Sequence, residues 1–157
     1  MVFGALRWLD RKPFATQLII LVLIFDPIGA IGGYLLAPTL GVDPIIGIGY
    51  GLAVLMKIAQ GSGTVSMMAA SAMVASFLQP EVPIGIHPVY IALAIGFGSL
   101  TVSWMNDSGF WVFSQMGGLT EWETIRTWTA LLTLMSVLGM TLTTLAALLF
   151  PMTNLAQ

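Results

Sequence analysis

Residues 44–80, PIIGIGYGLAVLMKIAQGSGTVSMMAASAMVASFLQP, run for 37 positions with a single charge, Lys57. A transmembrane helix needs about 20 mostly apolar residues, so this run is too long for one span. Its centre, Ala59-Gln60-Gly61-Ser62-Gly63-Thr64, is polar and rich in glycine. Two half-helices meeting at a glycine-rich tip account for both features. The arrangement is a re-entrant hairpin over 44–78 with its tip near 60–64, or else two short spans. Non-helical backbone at membrane depth is tolerated only where protein buries it or where it lines an aqueous cavity.

The rest of the chain follows the same rule. Residues 13–42 are interrupted only by Asp26, residues 82–120 only by Asp107, and 127–157 carry no Asp, Glu, Lys or Arg. The first of these follows a basic leader, Arg7, Arg11 and Lys12, and reads as a span over 14–40 kinked at Asp26-Pro27-Ile28-Gly29, where proline removes a backbone hydrogen bond. Asp26 beside a proline reads as a structural residue that opens a helix. The next segment starts after His87-Pro88, meets Asn106-Asp107-Ser108-Gly109, resumes at Phe110-Trp111-Val112-Phe113 and stops at Gly117-Gly118. It predicts a span over 88–117 broken at 106–109. A last span over 121–150 opens with Thr120-Glu121-Trp122-Glu123, the pattern of a capping box, and stops at Pro151. Trp122 and Trp128 suit the headgroup level. With Arg7, Arg11 and Lys12 in the cytoplasm, a hairpin at 44–78 leaves Glu81 outside and returns Arg126 to the cytoplasm, as the positive-inside rule prefers.

Composition excludes most other readings. Of 157 residues, 57% are hydrophobic and 8% charged, where a soluble chain averages roughly 25% charged. Mean hydropathy is +0.95. A net charge of −2 from five basic and seven acidic residues offers no basic patch to a nucleic acid. There is no Cys and one His, His87, which removes thiolate chemistry and a histidine-based metal centre. His87, beside Pro88, reads as a loop residue. Neither a metal nor a cofactor is implied. An enzyme is disfavoured for want of paired carboxylates at depth.

An ionised side chain near the bilayer centre costs roughly 2.5–3.5 kcal/mol on insertion scales. Lys57 and Asp107 each adjoin a polar break and are therefore functional candidates. Gln60, Ser62, Thr64 and Ser66 surround Gly61 and Gly63; Asn106, Asp107 and Ser108 precede Gly109. Glycine allows close approach of the backbone, and a helix restarting at such a break points free amides and partial positive charge at it. That chemistry receives carboxylates, while hydroxyls and amides pair with the hydroxyl groups of a polar organic acid. Close packing of small residues is the competing explanation, and it is preferred for Ser71, Ala72, Ser76, Gly96, Gly98 and Ser99.

These strings resemble a known family. Lys57-Ile58-Ala59-Gln60-Gly61-Ser62-Gly63-Thr64-Val65, then Trp104-Met105-Asn106-Asp107-Ser108-Gly109-Phe110-Trp111, then Thr120-Glu121-Trp122-Glu123-Thr124 with Thr127-Trp128, are similar to the C-terminal part of the gluconate:proton symporter (gluconate permease) family. The resemblance covers about residues 44–150. That family belongs to the ion transporter superfamily, whose members are built from inverted repeats, each with a re-entrant hairpin and a broken helix around the substrate. The chain departs from the family in having Lys57 where Arg is usual, and Gly63 where Ala is usual.

The resulting expectation is an all-α integral membrane protein, one half of an inverted-repeat transporter with a re-entrant helical hairpin and a broken transmembrane helix. It would be multi-pass in the cytoplasmic (inner) membrane, with its N-terminus cytoplasmic. The resemblance implies the C-terminal portion of a symporter for protons and gluconate or a similar sugar acid, partnered by a second half or by further copies of itself. Lys57 would balance the substrate carboxylate. Gln60, Gly61, Ser62, Gly63, Thr64, Asn106, Ser108 and Gly109 would line the substrate. Asp107 is the candidate for the coupling proton, or else stays ionised and pairs with Lys57. The alternative is a non-transporting membrane subunit, truncated or split, that only assembles with a longer permease.

Overall fold

The computed structural model describes residues 43–78 and 85–151. The expected span over 14–40, with Arg7, Arg11, Lys12 and Asp26, lies outside the described residues, as does Glu81. Every regular element among the described residues is a helix.

Helix α1 (Ile45–Gln60) ends where Gly61 takes the left-handed conformation, φ 81°, and returns its N–H to the Lys57 carbonyl. Glycine closes helices this way because it has no Cβ to clash. Helix α2 (Gly63–Phe77) restarts at once, capped by Ser62, whose hydroxyl accepts the Val65 N–H. Helix α3 (Pro88–Gly98) opens on a His87 cap with Pro88 in the first turn, where the missing N–H costs nothing. The chain is then non-helical from Ser99 to Asp107. Helix α4 (Ser108–Gly117) begins under an Asp107 cap and ends at Gly118, φ 60°. Helix α5 (Glu121–Leu149) begins with both halves of the Thr120–Glu123 capping box in place. It contains one π-helical turn, Ile125–Thr129.

Helix α1 packs on both α2 and α3, and α3 packs on α5. Their shared core holds Tyr50, Ala53, Val54, Ala70, Val74, Ile91, Ala94, Ile95 and Ala147. Contact is close where side chains are absent. A Cβ on Gly98 would lie 2.6 Å from the Tyr50 carbonyl oxygen, and one on Gly139 would lie 2.1 Å from the Phe97 ring. Hydroxyls bond the helices together: Ser66 donates to the Ala53 carbonyl at 2.5 Å, and Tyr50 and Ser136 share a 2.9 Å bond. Small residues and hydroxyl bonds of this kind hold helices together when lipid removes the hydrophobic drive between them.

Hydroxyls share the interior with this apolar core, and one helix turns apolar side chains outward. Ser66, Ser99, Thr101, Ser103, Thr124, Ser136 and Thr143 are buried, whereas Leu131, Leu134, Leu138, Leu142, Leu145 and Leu149 on α5 are exposed. A water-soluble monomer does not present a continuous leucine face of this kind. Helix α5, at 29 residues, is the one described helix long and apolar enough to cross a membrane.

A buried ion pair where two helix breaks meet

The two polar breaks predicted from sequence are in direct contact. A Cβ on Gly61 would lie 2.3 Å from the Asn106 carbonyl oxygen, so the backbones touch and only glycine fits. The Asn106 side chain donates to the Ile58 carbonyl at 2.9 Å and so satisfies one of the orphan acceptors at the end of α1. Gly63 packs against the Ser99 carbonyl oxygen, 3.1 Å from where its Cβ would be. Helices α2 and α4 therefore both start at this junction, and each brings the positive end of its dipole to it.

Lys57 projects from the last turn of α1 into the junction and is 3% exposed. Its ammonium donates to Asp107 Oδ2 at 2.7 Å and to the Gly61 carbonyl at 2.5 Å. Asp107 accepts two further hydrogen bonds that fix its carboxylate: Gly109 N–H on Oδ1 at 3.0 Å and the Ser103 hydroxyl on Oδ2 at 2.5 Å. The paired groups face protein, and the side chain of Asp107 keeps 13% of its surface open. Burial of a charge is affordable only with pairing and hydrogen bonds of this density.

The uncharged candidates divide by exposure. Gln60, Thr64, Asn106 and Ser108 are exposed around the rim of the junction; Ser62, Gly63 and Gly109 are half-buried, and Gly61 is buried. Gln60 turns back onto its own helix, donating to the Met56 sulfur at 3.7 Å. The junction thus offers a buried, internally neutral ion pair beneath a lip of hydroxyls and amides. Among the described residues no group of three His, Asp or Glu side chains is placed to hold a metal.

Comparison with known proteins gives the family. Residues 28–149 match the family described as GntP family permease. The chain belongs to that permease family. Among its relatives, a gluconate permease of Pseudomonas aeruginosa is 32% identical over 145 residues, 86% of this chain and 31% of that protein. The high-affinity gluconate transporter of Escherichia coli K12 is 34% identical over 99 residues, 63% of this chain and 22% of its own length. The Gnt-II system L-idonate transporter of the same strain is 38% identical over 89 residues, 57% and 20% of the two chains. The chain thus spans about a third or less of the length of these relatives. No solved structure matches it. Membership of the GntP permease family locates the chain in a membrane and among permeases, not enzymes.

In this member of the family the junction also recruits residues that sequence reasoning passed over. The non-helical stretch begins at Ser99, well before the 106–109 turn expected from the glycine, and Ser99, Thr101, Val102 and Ser103 are all buried within it. Val102 sits at φ 43°, a strained conformation for a β-branched residue. Serine and threonine alternate at 99, 101 and 103, and turn hydrogen bonds from Leu100 to Phe97 and from Thr101 to Gly98 open the stretch. Ser99, read from the sequence as a packing residue, lays its carbonyl against Gly63 of the other break. Trp128, beyond its expected place at the headgroup level, donates its indole N–H to Ser103 Oγ at 3.0 Å and stacks on Phe113.

Proposed function

We propose that this chain forms one half of a secondary transporter that moves gluconate or a similar sugar acid together with protons, and that the Lys57–Asp107 pair couples the two. The observation that carries this reading is the convergence of both helix breaks on one buried ion pair. While Asp107 is ionised, Lys57 is neutralised and an arriving anion meets no net positive charge. A proton on Asp107 releases Lys57 to the substrate carboxylate. Proton and anion then favour each other's binding by the same factor, typically about 5–150-fold for linked sites. Ser62, Thr64, Asn106 and Ser108, with Gln60 and the amides around Gly61, Gly63 and Gly109, bind the hydroxyl groups of the acid.

Helices α1 and α2, at 16 and 15 residues, reach only about 24 and 22 Å at 1.5 Å per residue, less than the roughly 30 Å hydrocarbon layer. Their length supports a re-entrant hairpin that enters and leaves from one side. On this reading the chain is multi-pass in the cytoplasmic (inner) membrane with its N-terminus in the cytoplasm, and α3 and α4 are one span broken at the junction. The greater length of the relatives supports a partner: a second, inverted half, or another copy, closes the site from above.

Uptake of labelled gluconate into vesicles, by the chain alone and with a second half supplied, tests the proposal. Asp107→Asn should still bind gluconate, with affinity no longer dependent on pH, and should lose accumulation driven by a proton gradient. Lys57→Met should lose binding. Undiminished proton-driven uptake by Asp107→Asn would remove Asp107 from the mechanism. A chain that moves no organic acid with any partner would leave the reading of a non-transporting subunit.

A further inference from the structure

The last helix reaches the ion pair through a single indole. Trp128 lies in the π-helical turn of α5, and its Nε1–H donates to Ser103 Oγ at 3.0 Å. The Ser103 hydroxyl donates in turn to Asp107 Oδ2 at 2.5 Å. An indole N–H can only donate, and a serine hydroxyl has one proton. The direction of the chain is therefore fixed: Trp128 gives to Ser103, and Ser103 gives to the carboxylate. The next residue, Thr129, donates its hydroxyl to the Ser103 carbonyl. Two consecutive residues of the π turn thus hold both the backbone and the side chain of Ser103. Phe113 of α4 stacks on the Trp128 ring with centroids 4.6 Å apart and planes 23° apart, which fixes the indole.

We propose that Ser103 and Trp128 are positioning residues, a one-way hydrogen-bond relay through which α5 holds Asp107 against Lys57 and responds when that carboxylate changes. The inference rests on the reading of Asp107 as the proton carrier. If Asp107 takes a proton on Oδ2, that oxygen becomes a donor and a poorer acceptor; if it swings away as Lys57 turns to an anion, the bond is broken. In either case the Ser103 hydroxyl rotates. Trp128 then faces a differently oriented acceptor. The change arrives at a turn whose hydrogen bonds already depart from the α-helical ladder, a common feature of functional sites within helices. None of this requires Ser103 or Trp128 to touch the substrate.

The full chain in lipid nanodiscs, with nitrogen-15 in its five Trp indoles, gives a direct readout. The Trp128 resonance is assigned by its loss in Trp128→Phe. It is expected to move in both Asp107→Asn and Ser103→Ala while that of Trp122 stays in place. Ser103→Thr, which keeps the hydroxyl, should hold it near its original position. A Trp128 resonance that is unmoved by Asp107→Asn, or moved as far by Thr as by Ala at position 103, overturns the relay. In uptake, Trp128→Phe should lower the maximal rate by about tenfold, near the worth of one hydrogen bond to a charged chain, with KM within about twofold of the parent. An unchanged maximal rate overturns the coupling role. Absence of uptake by the unmodified protein counts against the transport reading alone, and the indole shift then decides the relay by itself.

Discussion

Lys57 exchanges nearly all of its hydration for two acceptors, Asp107 Oδ2 and the Gly61 carbonyl. Removing one member of such a pair leaves the other buried without compensation, which typically costs about 3–5 kcal/mol, whereas replacing both by apolar groups is often close to neutral. Lys57→Met should therefore melt far below the parent in detergent, and the double variant Lys57→Met/Asp107→Leu should recover most of the loss. Additive losses in that thermal cycle would mean that the two groups do not stabilise each other. Gly61 is constrained by backbone rather than charge. Gly61→Ala requires a left-handed alanine, at about 1–2 kcal/mol, and drives its methyl to 2.3 Å from the Asn106 carbonyl oxygen. A lower melting temperature together with a lost Lys57–Asp107 contact is expected, because the tip must withdraw from the 106 turn. The charges and glycines of the site were legible in the sequence because each is costly where it stands. Ser103 and Trp128 were not: serine in a membrane helix is ordinarily a packing residue, and tryptophan near a helix start ordinarily marks the interface.

Helix α5 starts on a reciprocal cap. The Thr120 backbone N–H donates to Glu123 Oε2 at 2.8 Å and the Thr120 hydroxyl donates to the same oxygen at 2.7 Å. Losing a threonine cap typically costs about 0.5–2 kcal/mol. Thr120→Ala should accordingly quicken amide exchange in the first turn of α5 at fixed pH, and Thr120→Ser should leave it near the parent rate. The joint between α3 and α5 is steric instead. Gly139→Ala places a methyl inside the Phe97 ring position and should cost about 1–3 kcal/mol as the ring is displaced. Gly96→Ala, which meets nothing within 4 Å among the described residues, should be neutral or stabilising by up to about 1 kcal/mol. Comparable melting temperatures for the two variants would contradict the packing. Element boundaries followed their local signals closely where those were chemical, as at the capping box and at Gly61. They departed at Ser99: α3 ends on Gly98, whose backbone lies against the Tyr50 carbonyl, and the Ser99 carbonyl lies against Gly63, both contacts between segments far apart in sequence.

At the scale of the whole molecule, α5 turns a row of leucines outward while serines and threonines lie buried behind it, and the solvent that this face requires can be tested directly. Leu138, halfway along α5, is 52% exposed and outside the core. On a water-facing surface, exchange of such a residue changes stability by about 0.5 kcal/mol or less. At the depth of lipid tails, a lysine costs roughly 2.5–3.5 kcal/mol for insertion, lessened by snorkelling when the interface is near. Leu138→Lys should therefore lower the membrane-inserted fraction of the chain severely, although it breaks no contact within the core. Met116 supplies the comparison. It is 84% exposed and stands one residue from the end of α4, where the proposed topology brings the chain out at the cytoplasmic interface. Met116→Lys should insert almost as well as the parent, because its ammonium reaches the headgroups. Equal insertion of both variants would mean that the leucine face of α5 meets water, and the paired breaks would then have to be read as the interior of a soluble protein. Unequal insertion, with Leu138→Lys alone excluded, places the leucine face of α5 among lipid tails, the environment in which a paired Lys57 and Asp107 cost least.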